Sequence, residues 1–143
     1  MKDPLRILER NKSYGYLILR MIVGMIFLVH GYGKLWGNAP GIEAWIGMIG
    51  SLGFPLTTFT AYLVGYAEFL GGLALILGLL TRYASILLSI VMIVAIFKVK
   101  LSLGLIGGYE LDLALLAANI SLIFTGAGKI SLDKLIFRKE IIR

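Results

Sequence analysis

This sequence predicts an all-α membrane protein, a bundle of four transmembrane helices with a short interfacial helix between the first and second. Three observations carry that prediction. The 143 residues are 59% hydrophobic and only 15% charged, with a mean hydropathy of +0.91, whereas a soluble domain is nearer half apolar and a quarter charged. Four apolar runs each approach the ~20 residues that cross the hydrocarbon core as a helix. Finally, the basic residues collect on one side of those runs.

The first run, at about 14–36, reads YGYLILRMIVGMIFLVHGYGKLW. It is longer than the ~7–15-residue core of a cleaved leader, and no small-x-small site follows it, so a retained span is expected. Residues 41–53 come next, where Ile42, Trp45, Ile46 and Ile49 follow the i, i+3, i+4, i+7 spacing of one apolar helical face. With Pro55 just beyond, this segment is expected to lie in the interface or over the bundle. The second span covers about 56–80, the third about 83–98 and the fourth about 110–126, the last two near the minimum length. A glycine-rich, uncharged loop at 101–109 joins the third to the fourth. One domain, 1–143, accounts for the whole chain.

Charge orients the spans. Lys2, Arg6, Arg10 and Lys12 precede the first, Arg82 lies between the second and third, and Lys129, Lys134, Arg138, Lys139 and Arg143 follow the fourth. Only Lys98 and Lys100 lie on the other side, while Arg20 and Lys34 fall inside the first span. The positive-inside rule therefore places both termini in the cytoplasm of a multi-pass plasma-membrane protein. The same asymmetry explains the net charge of +6 without nucleic-acid binding. The absence of cysteine excludes disulfides, thiolate metal sites and cysteine-ligated clusters on this chain. A lone histidine supports neither a haem pair nor a zinc cluster, so no metal or haem is expected on this chain by itself.

Charged residues inside spans cost at least about 2.5–3.5 kcal/mol each on insertion scales, so each marks a candidate site. Arg20, His30 and Lys34 occupy the first span, Glu68 the second, and Glu110, Asp112 and Asn119 the fourth. At 100° per residue, Gly24, Phe27, Gly31 and Lys34 lie within about 40° of Arg20, and His30 about 80° away. Lys34 could equally be a lysine snorkelling from the end of the helix. Glu68 lies near the midplane, with Arg20 below and His30 above as its expected partners. By depth, Glu110 and Asp112 share a layer with His30, Lys34, Lys98 and Lys100. Such a layer could bind a polar head group, such as a quinone carbonyl pair or a small anion, or it could be a rim of ion pairs that closes the bundle. The tyrosines read as interface or packing aromatics, and the recurrent glycines and alanines as close helix contacts.

In this order the residues resemble the DoxX family of small four-span membrane proteins, over about residues 14–133. The resemblance rests on Arg20, Gly24, Phe27 and HGYGKL at His30–Leu35, then LGFP at Leu52–Pro55. It continues through Glu68 and GGLALILGLLTR to Arg82, then Glu110 and GAGKISLD at Gly126–Asp133. Ala127 departs from the proline the family usually places between the two glycines. The resemblance implies a four-helix bundle with cytoplasmic termini and an association with membrane oxidoreductase systems; the related DoxD family supplies the membrane subunit of a thiosulfate:quinone oxidoreductase. By matching motif positions it nominates Arg20, His30, Lys34, Glu68, Arg82 and Glu110 as a candidate ligand site, with Asp112 and Asn119 secondary and no catalytic residue assigned.

The function expected is an integral membrane subunit of a quinone-linked oxidoreductase or of a respiratory or sulfur-oxidising system, contributing a quinone or small-ligand site. It is not expected to be self-sufficient, and other membrane subunits or further copies of the chain are its expected partners besides the bilayer. A non-catalytic structural or assembly subunit is the alternative. A small transporter or lipid-binding module ranks last, because four spans without an inverted repeat are few for alternating access.

Overall fold

The computed structural model describes residues 4–38 and 41–136. Among these residues every regular element is helical. Helix α1 spans Pro4–Trp36, α2 Gly41–Ser51, α3 Thr57–Leu77, α4 Thr81–Val94, α5 Glu110–Thr125 and α6 Leu132–Ile136. Beyond Val94 the chain stays helical through a π turn at Ala95–Lys100 and a 3₁₀ turn at Leu101–Leu103. The stretch Leu105–Tyr109 then carries the chain into α5, with non-helical Ile106 and Gly107 inside it.

Among the described residues four helical segments are long and apolar enough to cross a membrane: Asn11–Trp36, Thr57–Leu77, Thr81–Leu103 and Leu105–Thr125. The third expected span was too short. It continues past residue 98 because the π turn adds a residue per turn without ending the helix. The segment between the first two spans is helical, as its spacing implied, and α2 packs on both α1 and α3.

α1 packs on α3, α3 on α4, α4 on α5, and α5 returns to α1. Both described chain ends lie at one end of this bundle, here the basal end; α2 and the Leu105–Tyr109 stretch lie at the distal end. Phe27, Leu75, Leu88 and Leu122 fill the centre, each no more than 1% exposed. The outer surface is apolar as well, with Ile18, Ile22, Met25, Leu63, Leu70, Ile90 and Phe97 all exposed. A helix apolar on every side suits lipid outside and protein inside.

Glycine sets the closest contact. A Cβ on Gly31 would fall on the backbone of Phe69, and one on Gly72 on the backbone of Gly24 and Leu28. Without water to drive association, such backbone contact is what holds two membrane helices together. It also fixes their stagger. Because Gly31 and Leu35 both meet Gly65, α1 ends about two turns short of the distal end of α3.

Candidate functional site: a cavity at the distal end and an arginine latch at the basal end

That stagger decides how Glu68 is neutralised. Lys34, carried on the last turn of α1, is lowered to within about one turn of Glu68, and its Nζ lies 2.5 Å from Glu68 Oε2. The sequence pointed to Arg20 or His30 as the partner of Glu68. The structure corrects this: because α1 ends below the distal end of α3, Lys34 is the base that reaches Glu68. The Glu68 side chain is only 4% exposed and that of Lys34 17%, so a dry acid is matched by a nearly dry base.

Trp45 of α2 closes the pair from the distal side. Its indole Nε1 donates to the Ala61 carbonyl at 3.0 Å, which anchors α2 on α3. Its ring lies 4.5 Å from Lys34 Nζ, close enough for a cation–π contact. The sequence revealed Trp45 only as part of an apolar helical face. Nothing in the spacing ties that indole to a lysine on another helix.

A second pair stands opposite. Lys100, at the end of the π turn, places Nζ 2.6 Å from Asp112 Oδ2 on α5. Between the two pairs lies a cavity of about 210 Å³, lined by His30, Lys34, Glu68, Lys100 and Asp112, with Trp45 and Met48 above and Phe27 and Leu115 among its apolar walls. His30 is the most solvent- or lipid-accessible of these five side-chain groups and sits exposed on α1. A neighbouring cavity of about 260 Å³ shares Lys34, Trp45, Glu68, Ala95 and Val99 with the first. Its remaining wall is apolar but for Thr60 and includes Leu63, Leu87, Ile90 and Val94, all of them on the lipid-facing surface. The arrangement is therefore a polar chamber joined to an apolar one that reaches the outside of the bundle.

The remaining candidates lie elsewhere. Glu110 is exposed and accepts the Gly107 N–H at 3.3 Å, which stabilises the turn before α5; it does not line the cavity. Lys98 is exposed on the outer side of the π turn. Asn119 is fully buried in the middle of α5, where Nδ2 donates to the Leu115 carbonyl at 2.9 Å. Arg20 and Arg82 are at the basal end, far from Glu68 along their helices.

At that end Arg20, a charged residue inside the first span, is enclosed by the turn after α3 and the C-terminal segment. Arg20 is 2% exposed. Its Nη2 donates to the Ile130 carbonyl, while its Nε and Nη1 are buried without a hydrogen-bond partner among the described residues. The guanidinium lies where a side chain on Gly78 would stand: a Cβ there would collide with Arg20 Nη1. Gly78 also has φ +65° and terminates α3, with its N–H bonded to the Leu75 carbonyl and that of Leu79 to Ala74, the glycine C-terminal motif. Asp133 then closes the arrangement. Its oxygens accept the N–H groups of Leu80 at 2.6 Å and Thr81 at 3.0 Å, and its own N–H donates to the Gly78 carbonyl at 2.8 Å. A carboxylate some fifty residues along the chain thus caps the start of α4 and holds Leu80 in its left-handed conformation, φ 47°. Within GAGKISLD the aspartate was visible as a motif residue, but its capping role needs the folded chain.

The sequence profile of the DoxX family matches residues 15–101. The chain belongs to the DoxX family. This DoxX protein is 39% identical to the Bacillus subtilis protein named "Putative oxidoreductase CatD", with 90% of this chain and 92% of that one covered. It is 32% identical to an uncharacterized membrane protein of Mycobacterium tuberculosis, covering 90% and 85%. With the Escherichia coli inner membrane protein YqjF it shares 27% identity over 92% and 99%. No solved structure gives a significant match. As in the sequence expectation, this DoxX chain is a multi-pass, all-α membrane protein.

Proposed function

We propose that this protein binds the head group of a membrane-soluble quinone in the distal cavity and serves as the membrane component of an oxidoreductase at the plasma membrane, with both termini cytoplasmic. The observation that carries this reading is the junction of two chambers at the Lys34–Glu68 pair. An amphiphile with a small polar ring and an apolar tail matches a polar chamber opening through an apolar one to the lipid. Each chamber falls below the ~300–1,000 Å³ of a drug-sized site, which suits one ring and the first part of a tail.

Charge balance favours a neutral dipolar ligand over an anion. Lys34 and Lys100 are matched by Glu68 and Asp112, so the formal charge of the chamber is zero with His30 neutral. Each ammonium has three N–H donors and places one on its carboxylate. The others, with the His30 ring, are available to two carbonyl oxygens. A bound quinone supplies two-electron, two-proton redox chemistry. Lys34 and His30 would orient its carbonyls, Glu68 would pass the two protons one after the other through its Oε atoms, and Trp45 would screen the pair from water. With no cysteine and one histidine in the chain, the electrons come from a donor carried by a partner subunit.

The name of the Bacillus subtilis relative agrees with a redox role. The test is quenching of Trp45 fluorescence by a short-chain quinone in lipid nanodiscs, in a W36F background that leaves Trp45 as the sole indole. Saturable quenching that weakens about tenfold or more in H30A and E68Q is expected. Quenching that is unsaturable, or the same in both variants, would count against the proposal and leave the charge pairs as purely structural.

A further inference from the structure

The distal cavity and the basal latch account for Lys34, Glu68, Lys100, Asp112, Arg20 and Asp133. Among the basal cations without a role so far, Arg82 and Lys134 share one groove. Its volume is about 650 Å³, and Tyr83, Thr125 and the turn Gly126–Ala127–Gly128 also line it. Among the described residues the side-chain ion pairs are Lys34–Glu68 and Lys100–Asp112, so neither groove cation has a carboxylate partner. Asp133 lies in the same groove, but both its oxygens are engaged by the N–H groups of Leu80 and Thr81. The Arg82 guanidinium makes one long bond, 3.4 Å to the Phe124 carbonyl, and rests against Gly126, where an added Cβ would stand 3.3 Å from its Nε.

The flanks of the groove are apolar. Tyr83 is 72% exposed, Phe124 77% and Leu135 73%, and in a four-span bundle such side chains face acyl chains. Two cations without a carboxylate partner among the described residues, bordered by lipid-facing aromatics, suit a phosphodiester with tails attached. A free anion would gain nothing from those flanks. Arg presents a planar fork to phosphate oxygens, and Lys a point charge.

We propose that this groove is a binding site for the phosphate of an anionic phospholipid in the leaflet at the basal end, with Arg82 and Lys134 as its cationic contacts and Tyr83 and Phe124 as the bed for its acyl chains. The site is at the opposite end of the bundle from the distal cavity, and its test is independent of quinone binding.

The full chain in phosphatidylcholine nanodiscs, with and without phosphatidylglycerol, provides that test. Phosphatidylglycerol is expected to raise the unfolding temperature and to remain on the chain in native mass spectrometry. Each of R82Q and K134Q is expected to weaken retention about fivefold, the effect of one basic residue near an anionic surface. K129Q removes an exposed charge outside the groove and is expected to leave retention unchanged. R82K keeps the charge if R82Q fails to fold, and is expected to retain the lipid better than K134Q does. Equal losses in K129Q and K134Q would overturn the proposal in favour of a diffuse surface field. The same thermal shift from inorganic phosphate in phosphatidylcholine nanodiscs would replace the lipid with a free anion.

Discussion

Both ends of this bundle bury charge in an apolar surround, but they do so to opposite effect. At the basal end the Arg20 guanidinium fills the space that Gly78 leaves open and bonds to backbone, with Asp133 bracing the α3–α4 turn beside it. The guanidinium itself is enclosed, at 2% exposure, and among the described residues it lines no cavity with an acid opposite it. At the distal end Lys34–Glu68 and Lys100–Asp112 stand either side of a cavity of about 210 Å³. A charge enclosed by backbone joins segments of the chain, whereas two ion pairs that border an open volume keep polar groups within reach of a ligand. Under the proposed function the basal set is a fastening and the distal set a site.

Substitutions can separate the two. The largest effect is expected from Gly78→Val. It forces a β-branched residue into φ > 0 and onto the arginine, costing about 2–5 kcal/mol from left-handed strain and overpacking together. Loss of folded yield in detergent checks this, and any folded fraction should still bind quinone. Glu68→Gln leaves Lys34 buried without its partner, and a loss of about 3 kcal/mol in denaturant stability is expected. The double variant Lys34→Met with Glu68→Leu should recover most of that stability, since apolar replacement of a buried pair is often neutral. It should not recover ligand binding. Recovery of both would reduce the distal pair to a second fastening.

Smaller effects sharpen the contrast. Asp133→Ala removes the cap of α4 and is expected to lower stability by about 0.5–2 kcal/mol, with quinone quenching unchanged. His30→Ala alters an exposed side chain, so a stability change within about 0.5 kcal/mol is expected while ligand affinity falls. A thermal melt and a quinone titration on the same two preparations would show whether the two responses part company as described.

The bundle was legible because composition, span length and basic asymmetry all answer to the same solvent, the bilayer. The helix at 41–53 was legible through its apolar spacing, and His30, Lys34, Glu68 and Asp112 through the expense of charge in hydrocarbon. Pairing was not legible. Which base meets Glu68 depends on the stagger of α1 against α3, and that is set by backbone contact of Gly24 and Gly31 with α3, a quantity no single-helix pattern encodes. Arg20 and Arg82 shared motif status with the distal residues but belong to the other end. A family motif records which positions are constrained and not by what. Trp45 and Asp133 act on residues remote in sequence, so their roles appear only once α2 and the C-terminal segment are folded onto the bundle.

The central claim, that the distal cavity and not the basal end receives a quinone, is tested most directly by photolabelling. A short-chain quinone analogue carrying a photoreactive group on its tail would be irradiated with the protein in nanodiscs, and the adducts located by peptide mass spectrometry. The account predicts adducts on the walls of the apolar chamber, at Trp45, Ile49, Ala95 and Val99, suppressed by excess unlabelled quinone and strongly reduced in E68Q. Adducts scattered over the lipid-facing surface at Ile18, Ile22 and Phe124, insensitive to competitor, would contradict it.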